Sequence, residues 1–173
     1  MASRHQPDRF LWACSVIDAA PTDQILEIGC GAGLLAEQLA QRIRTGTILA
    51  LDKSAPMIAK ATKRNTDHIA SGRLKTLTSN FATASLPKHK FDKIVGFNVN
   101  FFWKPDASEY NLIKNYLKPD GRIYVFHQAP TPDDTKTITA IQNTMKVMGL
   151  NVISTKKLVT TPAPAYGIIA CVS

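Results

Sequence analysis

The sequence predicts an α/β protein with a mostly parallel, seven-stranded sheet and helices on both faces. Short apolar runs alternate with helix-period segments along the chain, which is typical of this class. The first run leads through Gly29, Gly31 and Gly33 directly into a helical pattern, as at a strand–turn–helix junction. The last two runs are separated only by a Pro-rich connection and therefore predict a final hairpin.

Turn and cap residues set the limits of the individual elements. Ser54 is a helix cap, and Gly46, Gly72 and Gly149 are helix stops. Residues 80–90 read as a loop and residues 118–121 as a sharp turn. The predicted strands cover residues 24–28, 47–51, 73–78, 91–97, 122–127, 151–158 and 166–172. The predicted helices cover residues 7–19, 34–44, 54–69 and 105–117, and a last one follows the Pro-rich residues 129–134 and ends at Met148.

Length and composition indicate one globular domain over residues 1–173. We expect residues 1–20 to form a helical cover, with Phe10, Leu11, Val16 and Ile17 facing inward, over a core of residues 21–173. No apolar run approaches the roughly 20 residues of a membrane-spanning helix, and the N-terminus does not resemble a signal peptide. The prediction is a cytoplasmic protein without membrane association.

The cysteines and the charges point to no metal or nucleic-acid site of a known pattern. Cys14, Cys30 and Cys171 lack metal-ligand spacing, so no metal is predicted. The formal net charge is +8, but the basic residues are scattered and never form a run of five. A solvated surface is therefore favoured over a nucleic-acid footprint.

The glycine turn and the acid after the second strand together predict a nucleotide-like ligand. Asp52 follows Gly33 by about nineteen residues, where a carboxylate can accept two hydrogen bonds from a ribose diol. The third glycine comes one residue too early for the dinucleotide fingerprint, which Leu34 breaks. The pattern Glu27-x-Gly29-x-Gly31-x-Gly33 resembles the first motif of class I S-adenosylmethionine (SAM)-dependent methyltransferases.

This resemblance runs from about Asp23 to Val172. It implies the single-domain, Rossmann-like methyltransferase fold, whose last strand is antiparallel and lies between the fifth and sixth. It also implies SAM as the cofactor and S-adenosylhomocysteine (SAH) as its product, with no metal. Methyl transfer mainly needs alignment and removal of water, so little further machinery is required from the protein.

The resemblance also implies the cofactor contacts. Glu27 would face the ligand, and Asp52 would bind the ribose, although Asp52 could instead cap the next helix. Asn80 and the Phe81 backbone would grip the adenine, although a turn asparagine before a core phenylalanine explains them equally well. The predicted cofactor-binding residues are Glu27, Gly29, Cys30, Gly31, Gly33, Asp52, Lys53, Met57, Asn80, Phe81 and Asn98.

The acceptor side is less defined. The segment after the fourth strand lacks the prolines and the Pro-Cys pair of two base-methylating groups of the family, and its Asn100 and Trp103 are predicted substrate contacts, with Tyr166 as a third. His127 ends the fifth strand and is the candidate catalytic base, or a hydrogen-bonded histidine at a strand end.

The sequence thus predicts a SAM-dependent methyltransferase that acts on a small-molecule acceptor. Methylation of RNA or a protein is the first alternative, and a non-catalytic cofactor-binding module is the second. A nicotinamide oxidoreductase is disfavoured by Leu34. Because the chain has little sequence outside the core, we expect an open site or completion by a second subunit, which makes a homodimer possible.

Overall fold

The computed structural model describes residues 8–104, 108–129 and 135–173. Within these ranges the chain forms six α-helices and seven β-strands. The helices are α1 (Arg9–Ile17), α2 (Leu34–Ala40), α3 (Ala55–Arg64), α4 (Thr66–Ala70), α5 (Glu109–Tyr116) and α6 (Thr135–Val147). The strands are β1 (Gln24–Ile28), β2 (Thr47–Asp52), β3 (Leu74–Thr78), β4 (Phe91–Phe97), β5 (Leu117–Gln128), β6 (Leu150–Leu158) and β7 (Ala165–Val172).

All seven strands form one sheet in the order β3-β2-β1-β4-β5-β7-β6. β1 to β5 pair in parallel, and β7 is antiparallel to both β5 and β6. The predicted fold class is confirmed, including the antiparallel last strand between the fifth and sixth. The strand order reverses between β1 and β4, and ligands of open α/β sheets bind at the carboxyl ends of strands at such a switch point.

Apolar side chains cover both faces of the sheet, as a parallel sheet requires. One core cluster, which includes Phe102, Tyr110 and Ile141, lies on the side of α5 and α6. The other cluster, which includes Ile17 and Leu39, lies on the side of α1, α2 and α3. The layers therefore hold the strands in place on both sides of the switch point.

In α1 the inward-facing residues differ in part from the prediction. Ile17 is fully buried, and Phe10 and Val16 pack against the core. Leu11, however, is 54% exposed, so its predicted inward orientation is wrong. Trp12 is turned inward instead, with its ring centroid 5.5 Å from that of Phe126.

Two helices end earlier than their patterns predict, because neighbouring groups compete for backbone hydrogen bonds. α2 ends at Ala40 rather than at residue 44. Residues 44–46 donate their N–H groups to the carbonyl of Pro21, so these groups cannot continue the helix. The predicted helix over residues 54–69 is divided at Asn65 into α3 and α4.

Strand β5 begins at Leu117, earlier than predicted, and the sharp turn predicted at residues 118–121 lies within it as an irregularity, since a Cβ on Gly121 would lie 3.0 Å from the carbonyl oxygen of Lys118. Leu117 pairs with Phe91 before a register shift, and the regular pairing resumes at Arg122. A short 3₁₀ turn (Phe81–Thr83) lies in the predicted loop. The predicted helix start at residues 105–107 and most of the Pro-rich segment, residues 130–134, lie outside the described residues. No helix in the described ranges is long and apolar enough to cross a membrane.

Candidate functional site

The turn between β1 and α2 is built on three glycines in the left-handed region. The φ angles of Gly29, Gly31 and Gly33 are 68°, 53° and 76°, which side chains with a Cβ rarely adopt. A Cβ on Gly33 would lie 2.7 Å from Nδ2 of Asn65, whereas a Cβ on Gly31 would meet no atom within 4 Å. Packing therefore requires glycine at position 33, while position 31 borders open space.

Strand β2 holds the first half of this turn. The N–H groups of Gly29 and Cys30 both donate to the carbonyl of Leu51, at 2.8 and 3.0 Å. The N–H of Gly31 donates to Oδ2 of Asp52 at 2.9 Å. The turn is thus fixed to the carboxyl end of β2 as well as to its own strand.

The end of helix α3 holds the second half. Nε of Arg64 donates to the carbonyl of Ala32, at 3.1 Å. Nδ2 of Asn65 donates to the carbonyls of Gly33, at 3.1 Å, and Ala61, at 2.9 Å. Asn65 is only 1% exposed, so these bonds are shielded from water. Two consecutive residues of the turn are therefore bound by the last residue of α3 and the residue that follows it.

The carboxylate of Asp52 lies where the turn meets α3. Its Oδ1 accepts from the N–H of Ser54 at 2.9 Å, and its Oδ2 from Gly31. Ser54 provides the side-chain cap of α3, since its hydroxyl accepts from the N–H of Met57. Each carboxylate oxygen of Asp52 retains a further lone pair, so the carboxylate can still accept hydrogen bonds from a ligand.

A cavity of about 490 Å³ opens beside Asp52 at the carboxyl ends of β1, β2 and β4. Both apolar side chains and polar or charged side chains line it, so it can contact a ligand that has an apolar and a polar part. Its lining residues are Ile28, Gly29, Leu51, Asp52, Lys53, Ser79, Asn80, Phe81, Asn98, Val99, Asn100, Phe101, Lys104 and Glu109.

Asn80 and Phe81 have structural roles in the wall of this larger cavity. Oδ1 of Asn80 accepts from the N–H of Ala82 at 3.1 Å and caps the 3₁₀ turn. The ring of Phe81 is buried and stacks on Phe101, with centroids 5.9 Å apart. Both features fit a turn asparagine before a core phenylalanine. Because both residues also line the cavity, their predicted contact with the adenine stays a prediction.

A smaller cavity of about 190 Å³ adjoins the larger one, and Gly29 and Asn98 line both. Glu27 lies in it, 2% exposed, and its Oε2 has no hydrogen-bond partner among the described residues. Burial and, to a smaller extent, the charge of Asp52 raise the pKa of Glu27 to about 8. A hydrogen bond from the N–H of Ala36 acts in the opposite direction but does not offset them. The lining residues are Arg9, Phe10, Glu27, Gly29, Cys30, Gly31, Ala32, Leu34, Leu35, Phe97 and Asn98.

The electrostatics of this cavity favour a cationic ligand. A buried carboxyl oxygen without a hydrogen-bond partner is costly, and an incoming positive charge would allow Glu27 to ionise. Burial, together with the charges of Glu27 and Asp52, raises the pKa of the Cys30 thiol well above its usual range. Cys30 therefore forms part of the wall and is not an activated nucleophile.

Asn98 links the ends of β4 and β5 by hydrogen bonds beside the smaller cavity. It has φ 54°, the left-handed conformation that asparagine tolerates best among residues with a Cβ. Its Nδ2 donates to the carbonyl of Gln128 at 3.2 Å, and its Oδ1 accepts from the N–H of Gln128 at 2.8 Å. Both polar atoms of the Asn98 side chain are hydrogen-bonded to the backbone of Gln128, so the predicted contact of Asn98 with the cofactor stays a prediction.

The predicted base and two predicted substrate contacts lie next to one another. His127 pairs with Tyr166 across β5 and β7, and its ring centroid is 5.1 Å from that of Trp103. Nζ of Lys157 lies 5.5 Å from the ring centroid of Tyr166. His127 is buried. The structure thus groups these three residues, but they line neither of the two cavities.

The two cavities bring together most of the predicted site. They are lined by the predicted residues Glu27, Gly29, Cys30, Gly31, Asp52, Lys53, Asn80, Phe81, Asn98 and Asn100. The predicted residues outside both are Gly33, Met57, Trp103, His127 and Tyr166.

Several residues of the site were missed by the sequence reasoning. Arg9 and Phe10 reach the smaller cavity from α1, and no motif connects that helix to the turn. Arg64 and Asn65 read as an ordinary helical segment. Lys104 had one usable signal, since it follows Trp103 at the edge of a predicted pocket.

Comparison with known proteins decides the family. Residues 25–121 match the family described as a methyltransferase domain. The chain belongs to this family. The resemblance on the motif from Glu27 to Gly33 is confirmed, and the matched residues of this methyltransferase-domain protein run from β1 into β5.

Curated relatives with specific names include two methyltransferases of bacteria. Trans-aconitate 2-methyltransferase of Deinococcus radiodurans is 38% identical over 96 residues, which are 50% of this chain and 36% of the relative. Nocamycin O-methyltransferase of Saccharothrix syringae is 28% identical over 122 residues, 68% of this chain and 42% of the relative. The methyltransferase-domain chain spans less than half the length of these two relatives.

Solved structures agree on the fold. A SAM-dependent methyltransferase from Aquifex aeolicus has a TM-score of 0.76 and 16% sequence identity to this chain. The similarity covers 96% of this chain and 94% of the Aquifex protein. The likeness supports the Rossmann-like methyltransferase architecture along nearly the whole chain.

Proposed function

We propose that this chain transfers a methyl group from SAM to a small molecule that presents a carboxylate. The observation that carries the proposal is the pair of adjoining cavities around the glycine turn. The larger has room for a nucleoside beside Asp52, and the smaller holds the buried carboxyl of Glu27, whose Oε2 has no hydrogen-bond partner among the described residues. One ligand with a ribose and a cationic group suits both.

The residues present fit SAM. Asp52 has free lone pairs for a ribose diol at the end of β2. Glu27 would hold the ammonium group of the methionine end and give up its proton as that charge enters. The open space at Gly31 leaves room for a ligand against the backbone. Lys53, Asn80, Phe81 and Asn98 would complete the walls on the adenosine side.

The chemistry asked of the protein is alignment and the exclusion of water. SAM supplies a methyl group activated by a positively charged sulfur. The rings of Phe10 and Phe97, with centroids 5.2 Å apart, add apolar surface to the lining of the smaller cavity, which favours the displacement of water. In a bound complex, a carboxylate oxygen of the acceptor would form a bond to this methyl carbon as its bond to sulfur breaks, which would give a methyl ester and SAH.

The position of His127 favours an acceptor that is already an anion at neutral pH. His127 lies under Trp103 and outside both cavities. A carboxylate needs no base, because it has lost its proton before it reacts. His127 remains the candidate base for an acceptor that must lose a proton. The names of the two curated relatives, one for trans-aconitate and one for O-methylation, support an oxygen acceptor.

Calorimetric titration of the purified protein with SAH, with NADH as the control, tests the cofactor. Micromolar binding of SAH alone is expected. Binding of NADH in preference to SAH, or no binding of SAH, would contradict the proposal.

A methyl-transfer assay with radiolabelled SAM tests the acceptor. Trans-aconitate and other small carboxylates are compared with a phenol and with total RNA. We expect label in the carboxylate fraction. Label only in RNA would establish the first alternative, and SAH binding without transfer to any acceptor would indicate a non-catalytic module.

A further inference from the structure

A separate cavity of about 670 Å³, which we call the amino-end cavity, lies near the amino ends of β1 and β4. The glycine turn and Asp52 lie at the opposite edge of the sheet, at the carboxyl ends of parallel strands. The lining residues of the amino-end cavity are Val16, Ile17, Asp18, Asp23, Asp92, Lys93, Lys118, Pro119, Asp120, Gly121, Arg122 and Tyr124. None of these residues lines the two cavities of the proposed function.

Three charged side chains follow one another across the sheet in this cavity. Asp23 stands directly before β1, Lys93 lies in β4, and Arg122 lies in β5 as the pairing partner of Lys93. Lys93 forms a salt bridge with Asp23. The partner of Arg122 on its other side is Cys171 of β7, which is not an acid. The row therefore has one carboxylate for two cations.

Arg122 has no partner of its own. Within the part of the chain that the structure describes, its guanidinium makes no salt bridge, hydrogen bond or ring contact. Like charges that lie opposite each other on neighbouring strands repel, so an anion would stabilise Arg122 beside Lys93. A guanidinium offers five N–H donors in a planar fork, and this fork matches the geometry of a carboxylate.

A buried tyrosine is a second, independent sign of a ligand. Tyr124 follows Arg122 by two residues along β5, so both side chains project from the same face of the sheet. Tyr124 is 4% exposed and lines the cavity, and its hydroxyl has no hydrogen-bond partner among the described residues. The hydroxyl of a buried tyrosine usually has a partner. A carboxylate bound by Arg122 could accept a hydrogen bond from this hydroxyl.

The acids of the cavity indicate that the ligand also carries a positive charge. Three of the four acids in the lining are paired with a basic residue, and these pairs are Asp18–Arg42, Asp23–Lys93 and Asp92–Lys118. Asp120 is the fourth, and no described residue forms an ion pair or a hydrogen bond with its side chain. The carboxyl end of α1 also borders the cavity, and the carbonyl groups at a helix end favour a cation.

The rest of the lining indicates the kind of side chain that the ligand carries. Val16, at the end of α1, is half-buried, and Pro119 of β5 is exposed. Both add apolar surface next to the charged groups. An aliphatic side chain could cover this surface and remove it from water.

The amino-end cavity thus offers an unpartnered guanidinium and an unpartnered carboxylate two residues apart. A simple anion would be repelled by Asp120, and a simple cation would be repelled by Arg122. An α-amino acid carries both charges on one carbon atom. We propose that this cavity binds a free α-amino acid with an aliphatic side chain, whose carboxylate contacts Arg122 and Tyr124 and whose ammonium contacts Asp120.

Calorimetric titration of the full chain with L-leucine and two analogues tests the site. 3-Methylbutylamine is leucine without the carboxylate, and 4-methylpentanoate is leucine without the ammonium. We expect leucine to bind in the millimolar range or more tightly. Each analogue should bind about tenfold more weakly or worse, because it loses a charge-assisted hydrogen bond.

Substitutions in the cavity assign the contacts. Arg122→Gln and Asp120→Asn should each weaken leucine binding about tenfold or more, and Tyr124→Phe about threefold. Arg122 and Asp120 are exposed, so we expect both variants to fold as the parent does, which thermal unfolding checks. Arg44→Gln is the matched control, because Arg44 is also exposed but does not line this cavity. Leucine should bind this control as it binds the parent.

Four results would overturn the proposal. They are no binding of leucine to the parent, equal affinities for leucine and one of its analogues, and unchanged leucine affinity in Arg122→Gln. The fourth is loss of leucine binding in the presence of saturating SAH, which would place leucine in the cofactor site. Leucine binding by a protein that does not bind SAH would support the amino-end site and remove only the proposed function.

Discussion

Two parts of the site are held in different ways. The turn side consists of residues 29–33 with Asp52, Arg64 and Asn65, and the aromatic side consists of Phe10, Phe97, Trp103, His127 and Tyr166. On the turn side, backbone groups of every residue from 29 to 33 are hydrogen-bonded. On the aromatic side the contacts are ring against ring, at centroid distances of 5.1–5.2 Å where they are closest.

This difference teaches which substitutions the site can tolerate. Hydrogen bonds to the backbone are directional, and a buried group that loses its partner is costly. Ring contacts are less directional, and an apolar side chain of similar size usually replaces another at a smaller cost. We therefore expect the turn side to be sensitive and the aromatic side to be tolerant.

The largest expected effect is the loss of SAH binding in Gly31→Val. A side chain here would enter the open space beside the turn, where the ligand is proposed to lie. Gly72→Val is the control, because Gly72 also has a positive φ and also borders open space, but lines neither cavity. Titration with SAH and thermal unfolding of both variants compare the two positions. Equal SAH affinities would show that Gly31 does not border the ligand.

Gly33→Ala should act on stability. Its Cβ would clash with Asn65 and Ala61 in a left-handed conformation, so we expect a loss of about 3 kcal/mol. Urea unfolding measures it, with Gly72→Ala as the control for the backbone strain alone. A Gly33→Ala protein as stable as the control would mean that α3 can move away from the turn without cost.

Glu27→Gln should change how stability depends on pH. The pKa of Glu27 rises from its ordinary 4.5 to about 8 in the folded protein. Between these values the folded state binds a proton that the unfolded state has lost, so stability falls as pH rises through this window. The variant should lack this fall and gain stability relative to the parent from about pH 5 to pH 8.

Urea unfolding midpoints at several pH values test this expectation. Parallel profiles of Glu27→Gln and the parent would contradict the raised pKa. The same variant should bind SAH more weakly, so stability and binding should change in opposite directions.

Among these variants, His127→Asn is expected to have the smallest effect on the affinity for SAH. This residue lies outside both cavities, so SAH affinity should stay within about twofold of the parent. Methyl transfer to a carboxylate should fall little, whereas transfer to an acceptor that must lose a proton should fall strongly if His127 is its base. A large loss of SAH affinity would place the aromatic side among the sensitive residues.

Local signals predicted the glycine turn and Asp52, although not Arg64 and Asn65. The spacing of the glycines, the acid after β2 and the strand limits of β1 and β4 all depend on backbone conformation close in sequence. The seven strands and the place of the antiparallel last strand followed from the same elements and the family resemblance.

Tertiary contacts decided what the sequence could not predict. Asn65 divides a continuous helical pattern because its side chain bonds Gly33, thirty-two residues away. Arg9 reaches Gln128 across a separation of 119 residues. His127 and Tyr166 lie at strand ends as predicted. The neighbouring sequence, however, does not show that their side chains lie outside both cavities.

The glycine turn is hydrogen-bonded to residues of β2 and of the end of α3, and this arrangement has an evolutionary consequence. Among the described residues, the side chains from outside the turn that hydrogen-bond residues 29–33 are those of Asp52, Arg64 and Asn65. Substitutions after β4 and β5 leave these hydrogen bonds in place. We therefore expect that, in evolution, the acceptor side can diversify there while the geometry of the cofactor turn is kept.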